Sequence, residues 1–377
     1  MNKFYKWFKQ LYYINSIKNP KMAIESLAFL NKNFKYENIK NNSVFISKEN
    51  FNIMKRSFKK MLLCLPDNID VVKYFLDADL DFISRKIDIS KLENDSPIVI
   101  CVVKDDLQKV KEIYKHHKKI GIKNFVYVDN GSTDGTVEFL KEQENVDIIN
   151  SKTKYYTLAR EAWINRVLCH YGYNNWYLVV DSDEMYNYIN SEQVDIKEHI
   201  KRLKKSGTTR ELSFMLDMYS NNELFSQSDD FIREYCYFDK DTYTLTHHKR
   251  FIKISGGPRS RSFEQNGEKK EFMLVKYPLF LFEKGDVQSN SHVTFPFYKN
   301  LNLECTSVLM HYKFIGNDID KYKIRIKENN YYNGSEEYKA YIEKYESEKN
   351  TSFYYNRSQK YVNSKSLSKI DIIKELN

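Results

Sequence analysis

The sequence predicts an α/β protein with a mostly parallel, doubly wound sheet flanked by helices. From residue 97 onward, short apolar runs alternate with segments whose apolar residues recur at helical spacing. The first run, IVICVV at residues 98–103, is apolar throughout, as is typical of a parallel strand buried on both faces. The repeated order of strand, helix and strand favours parallel pairing.

These elements can be placed in order along the chain. The predicted strands are residues 98–103, 125–128, 146–149 and 176–180. The predicted helices are residues 107–120, a helix that begins at 137–140, and residues 158–170. One predicted helix therefore lies between each two successive strands, as a parallel crossover requires.

Helical regions flank this part of the chain. Residues 1–96 contain several helix-like segments, including 71–82, and predict an N-terminal extension that ends at a polar cluster before Pro97. Residues 316–377 are charged and tyrosine-rich and predict a C-terminal tail of helices that pack on the core, with acceptor binding and partner docking as the alternatives. The predicted α/β domain lies between them, at residues 97–315.

Composition limits the partners and the location. The net charge of +9 is spread along the chain without a Lys/Arg block, so it favours anionic partners such as nucleotide sugars and does not indicate nucleic acid. The five cysteines are odd in number and widely spaced, which predicts reduced thiols in a cytoplasm. No apolar run approaches the roughly 20 residues that span a bilayer.

The first 13 residues have a pattern of their own. Phe4, Trp7, Phe8 and Leu11 recur at helical spacing with lysines between them. This pattern is typical of a basic helix at a membrane interface, and a helix docked on its own protein has the same pattern. Peripheral contact with the inner face of the cytoplasmic membrane is therefore one of two interpretations.

Acidic residues directly follow the fourth predicted strand. Asp181, Ser182, Asp183 and Glu184 come after residues 176–180. Open α/β sheets bind ligands in the crevice beyond the carboxyl ends of their strands. Carboxylates packed this closely repel one another unless a cation or several donors compensate, and their hard oxygens suit magnesium or manganese. The cluster predicts a divalent-cation site, with an acidic surface turn as the alternative.

A second polar segment follows the strand at residues 125–128. Asp129 stands at the strand end, and in the glycine-containing turn after it Asp134 or Thr133 can cap the next helix. In a parallel sheet, Asp129 shares an edge with the acidic cluster, which predicts a nucleotide-diphosphate site where Asp129 binds the base or ribose. The chain has neither GxGxxG after the first strand nor GxxxxGK[ST], which argues against dinucleotide enzymes and P-loop NTPases.

In these segments the chain resembles the family 2 glycosyltransferases of the GT-A fold, a Rossmann-like fold, and especially a bacterial surface-polysaccharide subgroup. The matching segments, in the family's order, are VDNGSTDGT at 128–136, the helix with Ala159, Arg160 and Asn165, DSDE at 181–184, and later landmarks at 256–261, 274–279 and 309–313. The similarity covers residues 97–313. One departure is Lys104-Asp105-Asp106, where many relatives carry an Asn-Glu pair.

The resemblance implies an inverting transfer of a sugar from a nucleotide-diphosphate sugar, above all a UDP-sugar, to a hydroxyl of a glycan or lipid-linked acceptor. It implies a Mn²⁺ or Mg²⁺ ion as Lewis acid, held by Asp181, Asp183 and His311. The residues assigned to the nucleotide-sugar site are Asp129, Asp134, Arg160, Asn165, Asp181, Arg259 and Arg261, with an acidic acceptor or a solvated loop as the alternatives for the two arginines. For His311 the alternative is a buried structural histidine.

The acceptor hydroxyl needs a general base, usually a carboxylate. Asp217 interrupts a strand-like apolar run and is the predicted base, with Glu264 and Asp286 as alternatives; a buried structural role is the competing interpretation for Asp217.

Two other classes of protein stay open. A nucleotidyltransferase-like enzyme lacks support because its Gly-rich basic loop is missing, and the intact DSDE segment speaks against a non-catalytic carbohydrate-binding relative.

Overall fold

A computed structural model describes most of the chain as a mixed α/β protein. The described residues are 19–40, 42–265, 268–269, 271–301, 303–316, 318–329, 335–348 and 351–376, without the side chains of 264–269. The predicted amphipathic helix at residues 1–13 lies outside them. Among the described helices, none combines the length and the apolarity needed to cross a bilayer.

Helices and strands alternate through the centre of the chain. The helices are α1 (Pro20–Asn33), α2 (Lys48–Cys64), α3 (Ile69–Asp77), α4 (Leu107–Lys119), α5 (Thr136–Glu142), α6 (Thr157–Tyr171), α7 (Ile196–Lys205), α8 (Phe231–Glu234), α9 (Gly257–Ser262), α10 (Asp318–Glu328) and α11 (Glu336–Ser347). The strands are β1 (Asp81–Ser84), β2 (Ile98–Val103), β3 (Asn124–Asp129), β4 (Val146–Asn150), β5 (Trp176–Asp181), β6 (Glu184–Tyr188), β7 (Leu212–Asp217), β8 (Tyr237–Phe238), β9 (Tyr243–His247), β10 (Ile252–Gly256), β11 (Glu264–Gln265), β12 (Glu268–Lys269), β13 (Val275–Lys276), β14 (Leu279–Leu281), β15 (Val287–Gln288), β16 (Thr294–Phe295), β17 (Cys305–His311) and β18 (Gln359–Lys360).

The largest sheet has six strands in the order β1-β4-β3-β2-β5-β14. Its four central strands β2 to β5 pair in parallel, and they are the four strands that the sequence predicts. Its edge strands β1 and β14 are antiparallel. The helical pattern predicted across residues 71–82 is wrong at its end, because α3 stops at Asp77 and the chain then adds β1 to the sheet.

A second sheet of four strands has the order β13-β7-β17-β6. In it, β17 pairs in parallel with β7 and antiparallel with β6. The α/β class is therefore confirmed, whereas the sheets as a set are small and mixed in direction instead of mostly parallel. The reason is that short apolar runs reveal strands but carry no information about their direction or partners.

Alternate residues of the parallel strands face two hydrophobic cores. On β2, Ile98 and Ile100 face the core that contains α2, α3 and α6. Val99, Cys101 and Val103 face the core that contains α4, the second sheet and the C-terminal region. Burial on both faces explains why β2 is apolar throughout. The N-terminal region and the tail both pack on the central sheets, while the predicted domain boundaries stay a prediction.

Candidate functional site

The acidic segment lies where the chain passes from the first sheet to the second. Strand β5 ends at Asp181. A turn follows at Ser182 and Asp183, and β6 begins at Glu184. The Asp181 N–H donates to Glu184 Oε2 at 3.0 Å, which closes the turn. We call these four residues the acidic turn. The acidic turn therefore connects the first sheet with the second, and residues of both sheets can contact its side chains.

Asp129 lies at the same sheet edge as the acidic turn. Strand β2 runs between β3 and β5, with Val103 opposite Asp129 and Val102 opposite Asp181. The register thus places the two acidic strand ends on either side of β2, as the sequence predicts for parallel strands. Asp129 itself is buried and accepts hydrogen bonds from the N–H of Gly131, at 3.0 Å.

The charge of Asp181 is compensated by two buried cations. Its Oδ2 accepts from Lys276 Nζ at 2.6 Å and its Oδ1 accepts from Arg160, which also donates to Glu161 at 2.9 Å. Burial raises the pKa of Asp181, but the charges of Arg160 and Lys276 lower it by a larger amount. The pKa of Asp181 therefore lies below its ordinary value. Both carboxylate oxygens of Asp181 are therefore already paired within the protein.

Three neighbouring strands place a histidine between two acids. His311, at the end of β17, is opposite Glu184 on β6 and Asp217 on β7. Its Nδ1 lies 2.8 Å from Asp217 Oδ1, and its Nε2 lies 3.5 Å from Asp183 Oδ2. Asp217 thus orients the imidazole so that Nε2 faces the acidic turn.

The charges of Asp183 and His311 stabilise each other. Burial raises the pKa of Asp183, whereas the nearby His311 lowers it, and the net pKa is well below the ordinary value. Burial lowers the pKa of His311, and Asp183 raises it above the ordinary value. Asp183 is therefore an ionised carboxylate beside an imidazole.

The residues present fit a divalent cation at Asp183 and His311. Asp183, Glu184 and His311 each offer a ligand atom, and these atoms lie within 4.8 Å of one another. Glu184 is the least available, because Oε2 accepts the Asp181 N–H and Oε1 lies 2.5 Å from Lys276 Nζ. Asp183 keeps 21% of its side chain exposed. Carboxylate oxygen with imidazole nitrogen is a donor set that Mn²⁺ accepts. Asp181, with both oxygens paired, fits less well.

Asp217 is enclosed by its partners. Its side chain is 2% exposed, and Oδ2 accepts from Arg259 Nε at 2.8 Å. Burial raises the pKa of Asp217, whereas Arg259 and His311 lower it below the ordinary value. A general base must reach the acceptor hydroxyl. Because both oxygens of Asp217 are occupied by buried partners, its geometry favours the structural alternative over the predicted catalytic role.

The structure describes the side chain of only one of the two alternative bases, Asp286 and Glu264. Asp286 is buried and forms ion pairs with Arg210 at 3.1 Å and with Lys299 at 2.8 Å. Its carboxylate therefore holds the loop around β15 and β16. The side chain of Glu264 lies outside the described part of the chain.

Two residues assigned from the resemblance form structural hydrogen bonds. Asp134 accepts from the Leu107 N–H at 2.8 Å and so joins the starts of α4 and α5. Asn165 exchanges two hydrogen bonds with the Gln288 backbone, at 2.9 and 3.0 Å. No described contact joins either residue to the acidic turn.

Arg261 also turns away from the acidic turn. Its guanidinium donates twice to Asp239, at 2.9 and 3.1 Å. Arg259, two residues earlier, contacts Asp217 instead and is thereby linked to His311. The predicted arginine pair is therefore divided between two carboxylates.

Sequence reasoning missed the lysine that compensates the acidic turn. Lys276 is 4% exposed and contacts both Asp181 and Glu184. Burial lowers its pKa, but these two carboxylates raise it above the ordinary value. A signal was present, since a lone lysine within an apolar strand-like segment needs a charged partner.

The tail also reaches the acidic turn. Lys321 Nζ of α10 lies 2.5 Å from Asp106 Oδ1, and the Ser182 hydroxyl donates to Asp106 Oδ2 at 2.5 Å. Next to them, the buried Lys109 and Asp318 form an ion pair at 2.7 Å. The sequence predicts tail helices that pack on the core, with acceptor binding and partner docking as open alternatives, and nothing local in α10 indicates these partners more than 200 positions away.

Comparisons with protein-family models and with curated proteins do not identify this chain. No protein-family model matches it, and no curated protein matches it. The resemblance therefore rests on the quoted segments, and the site is interpreted from its geometry.

Proposed function

We propose that the protein is a GT-A fold glycosyltransferase that transfers a sugar from a nucleotide-diphosphate sugar, above all a UDP-sugar, to a glycan or lipid-linked hydroxyl, with inversion. The observation that carries this proposal is the pair formed by Asp183 and His311, 3.5 Å apart at the carboxyl end of a parallel strand. That is the edge where α/β sheets bind ligands, and the two side chains suit a divalent cation. The VDNGSTDGT and DSDE segments are the second support.

Each residue of the site has a role under this proposal. A divalent cation at Asp183 and His311 would supply a Lewis acid that offsets the charge of the departing nucleotide diphosphate. Asp217 accepts a hydrogen bond from the Nδ1–H of His311, which leaves the lone pair of Nε2 available as a ligand beside Asp183. Lys276 neutralises the charges of Asp181 and Glu184, so that Asp183 is the carboxylate of the acidic turn whose charge can bind a cation. Asp217 is then a positioning residue.

Asp183→Asn tests the proposal. The amide keeps the size of the side chain but removes the anionic ligand, so we expect Mn²⁺-dependent binding of UDP to weaken at least about tenfold. Calorimetric titration of UDP with and without Mn²⁺ measures this. The fold should survive, because Asp183 lies in a turn and not within a strand.

Asp70→Asn is the matched control. Asp70 forms an exposed ion pair with Lys73 on α3, so the same chemical change there should leave UDP binding unchanged. Unchanged Mn²⁺-dependent UDP affinity in folded Asp183→Asn protein would contradict the assignment of the site. A screen of nucleotide sugars for hydrolysis by the natural protein then identifies the donor.

A further inference from the structure

A second charged cluster is linked to the candidate site through Asp217. Arg259, on α9, donates through Nε to Asp217, and its Nη1 lies 3.1 Å from Glu337 Oε1. Lys313 Nζ lies 3.1 Å from the same oxygen, and the Tyr341 hydroxyl donates to it. A guanidinium, an ammonium and a phenol therefore converge on one carboxylate oxygen of the tail helix α11.

The cluster has more donor capacity than Glu337 uses. Arg259 Nη2 is buried and has no hydrogen-bond partner among the described residues. A buried guanidinium N–H without an acceptor costs free energy. An oxyanion with several oxygens, such as a phosphate group, can accept from a guanidinium fork and an ammonium at once. The donor set is therefore better matched to such a group than to the single oxygen of Glu337.

Exposure shows which member of the cluster can leave. The side chains of Arg259 and Lys313 are 4% and 12% exposed, whereas that of Glu337 is 36% exposed. Two cations fixed in the core thus face a carboxylate that reaches them from a partly exposed helix. A solvent-borne anion can approach from the side that Glu337 occupies.

The cluster lies on the acceptor side of the proposed reaction. Within the candidate site, Nε2 of His311 faces Asp183, where the proposed nucleotide diphosphate binds, while Nδ1 faces Asp217 and its partner Arg259. Lys313 follows His311 by two residues at the end of β17. A group held by Arg259 and Lys313 is therefore near the reacting centre without being the diphosphate.

We propose that Arg259, Lys313 and Tyr341 form a binding site for an oxyanion of the acceptor, a phosphate or carboxylate group, and that Glu337 occupies this site in its absence. This inference rests on the proposed function and adds the class of acceptor, an anionic one. Glu337 then acts as an internal competitor that an anionic acceptor displaces.

Glu337→Gln tests the inference with inorganic phosphate as the probe in metal-free buffer. The substitution removes the competing charge, so we expect phosphate affinity to rise about tenfold, because a site that was occupied becomes available. Lys313→Met in the same variant should abolish this gain, since it removes one of the two cations. Calorimetry measures both affinities, and a larger thermal stabilisation of Glu337→Gln by phosphate is the second readout.

Glu346→Gln is the control on the same helix. It breaks the exposed pair of Lys323 and Glu346, at 3.1 Å, and should leave phosphate affinity unchanged. Phosphate binding to Glu337→Gln that is no tighter than to this control would overturn the inference. If Glu337→Gln does not fold, Glu337→Asp, which withdraws the carboxylate by one methylene, should show a smaller gain, and no gain would overturn the inference equally.

The two proposals fail in different ways. If Glu337→Gln raised the affinity for UDP as much as for phosphate, the cluster would belong to the donor and the acceptor assignment would be wrong. Asp183→Asn should keep metal-free phosphate binding, because Arg259 and Lys313 are unchanged in it. Unchanged Mn²⁺-dependent UDP binding in Asp183→Asn would therefore contradict the proposed function, whereas unchanged phosphate affinity in Glu337→Gln would contradict only the anion site.

Discussion

At the scale of single residues, the site is a chain of buried charges in which each group fixes the next. Arg259 donates to Asp217, Asp217 contacts His311 Nδ1, and His311 Nε2 faces Asp183. Removing one member of such a buried chain leaves an uncompensated charge on the others. The predicted catalytic role of Asp217 and its positioning role therefore differ in what a substitution does to stability.

Asp217→Asn separates the two roles. If Asp217 positions His311, the variant should lose thermal stability, because the buried Arg259 loses one of its two carboxylate partners and keeps only Glu337, a loss of up to roughly 3–5 kcal/mol. Mn²⁺-dependent UDP affinity should fall about tenfold, since the imidazole is no longer held. Scanning calorimetry and UDP titration on one preparation measure both. Asp241→Asn, which affects the surface pair with Arg357, serves as the control.

A catalytic role of Asp217 predicts a different result for the same variant. A general base can be removed without loss of fold or donor binding, while the transfer rate falls by roughly a hundredfold or more. An Asp217→Asn variant with a normal melting temperature, normal UDP affinity and lost turnover would restore Asp217 as the base.

At the scale of elements, helix α10 supports the acidic turn. Lys321 contacts Asp106, which accepts from the Ser182 hydroxyl, and Asp318 is paired with the buried Lys109 of α4. The helix thus fixes the residue between Asp181 and Asp183. Asp318 anchors α10 in the core, whereas Lys321 keeps 26% of its side chain exposed, which separates anchoring from positioning.

Lys321→Met should therefore affect the site more than the fold. Lys321 is only partly exposed and Asp106 is buried, but Asp106 keeps the Ser182 hydroxyl as a donor, so we expect a modest fall in melting temperature. The acidic turn loses one restraint, and we expect faster amide hydrogen exchange at residues 181–184 and a several-fold loss of Mn²⁺-dependent UDP affinity. Lys323→Met on the same helix is the control. Unchanged exchange at residues 181–184 would show that α10 only packs against the core.

At the scale of the whole molecule, the sequence predicts local elements well and long-range partners poorly. Strands β2 to β5 were predictable because both of their faces are buried and their sequences are mainly apolar. The second sheet was not, because β7 and β17 pair across 94 positions and β13 has only two residues. No local periodicity encodes such pairings.

In the candidate site, too, the local features could be predicted from the sequence and the distant partners could not. Asp129 and the acidic turn could be placed at one sheet edge because parallel strands share their carboxyl ends. The partners of Asp181 and Asp217, namely Lys276 and Arg259, come from distant segments of the second half of the chain. Which acid is compensated, and hence which one has charge available for a cation, follows only from the packed structure.

The N-terminal region and the site should depend on each other, because they share a core. Phe75 of α3 is fully buried, and its ring packs 5.6 Å from Phe34 and 5.2 Å from Phe58. Its backbone carbonyl accepts from Arg166 of α6 at 3.1 Å, and α6 also carries Arg160, which holds Asp181. A loss of packing around α3 should therefore be transmitted through α6 to the acidic turn.

Phe75→Ala tests this coupling. Truncating a buried phenylalanine costs about 3–5 kcal/mol, so urea unfolding followed by circular dichroism should shift to lower urea. We expect Mn²⁺-dependent UDP binding, measured across the same urea series, to be lost at the same lower concentration, because α6 serves both the core and the site. Ile24→Ala on α1, 68% exposed, should shift neither curve. An early loss of helix signal with UDP binding retained would instead make residue 96 the boundary of an independently folding N-terminal domain.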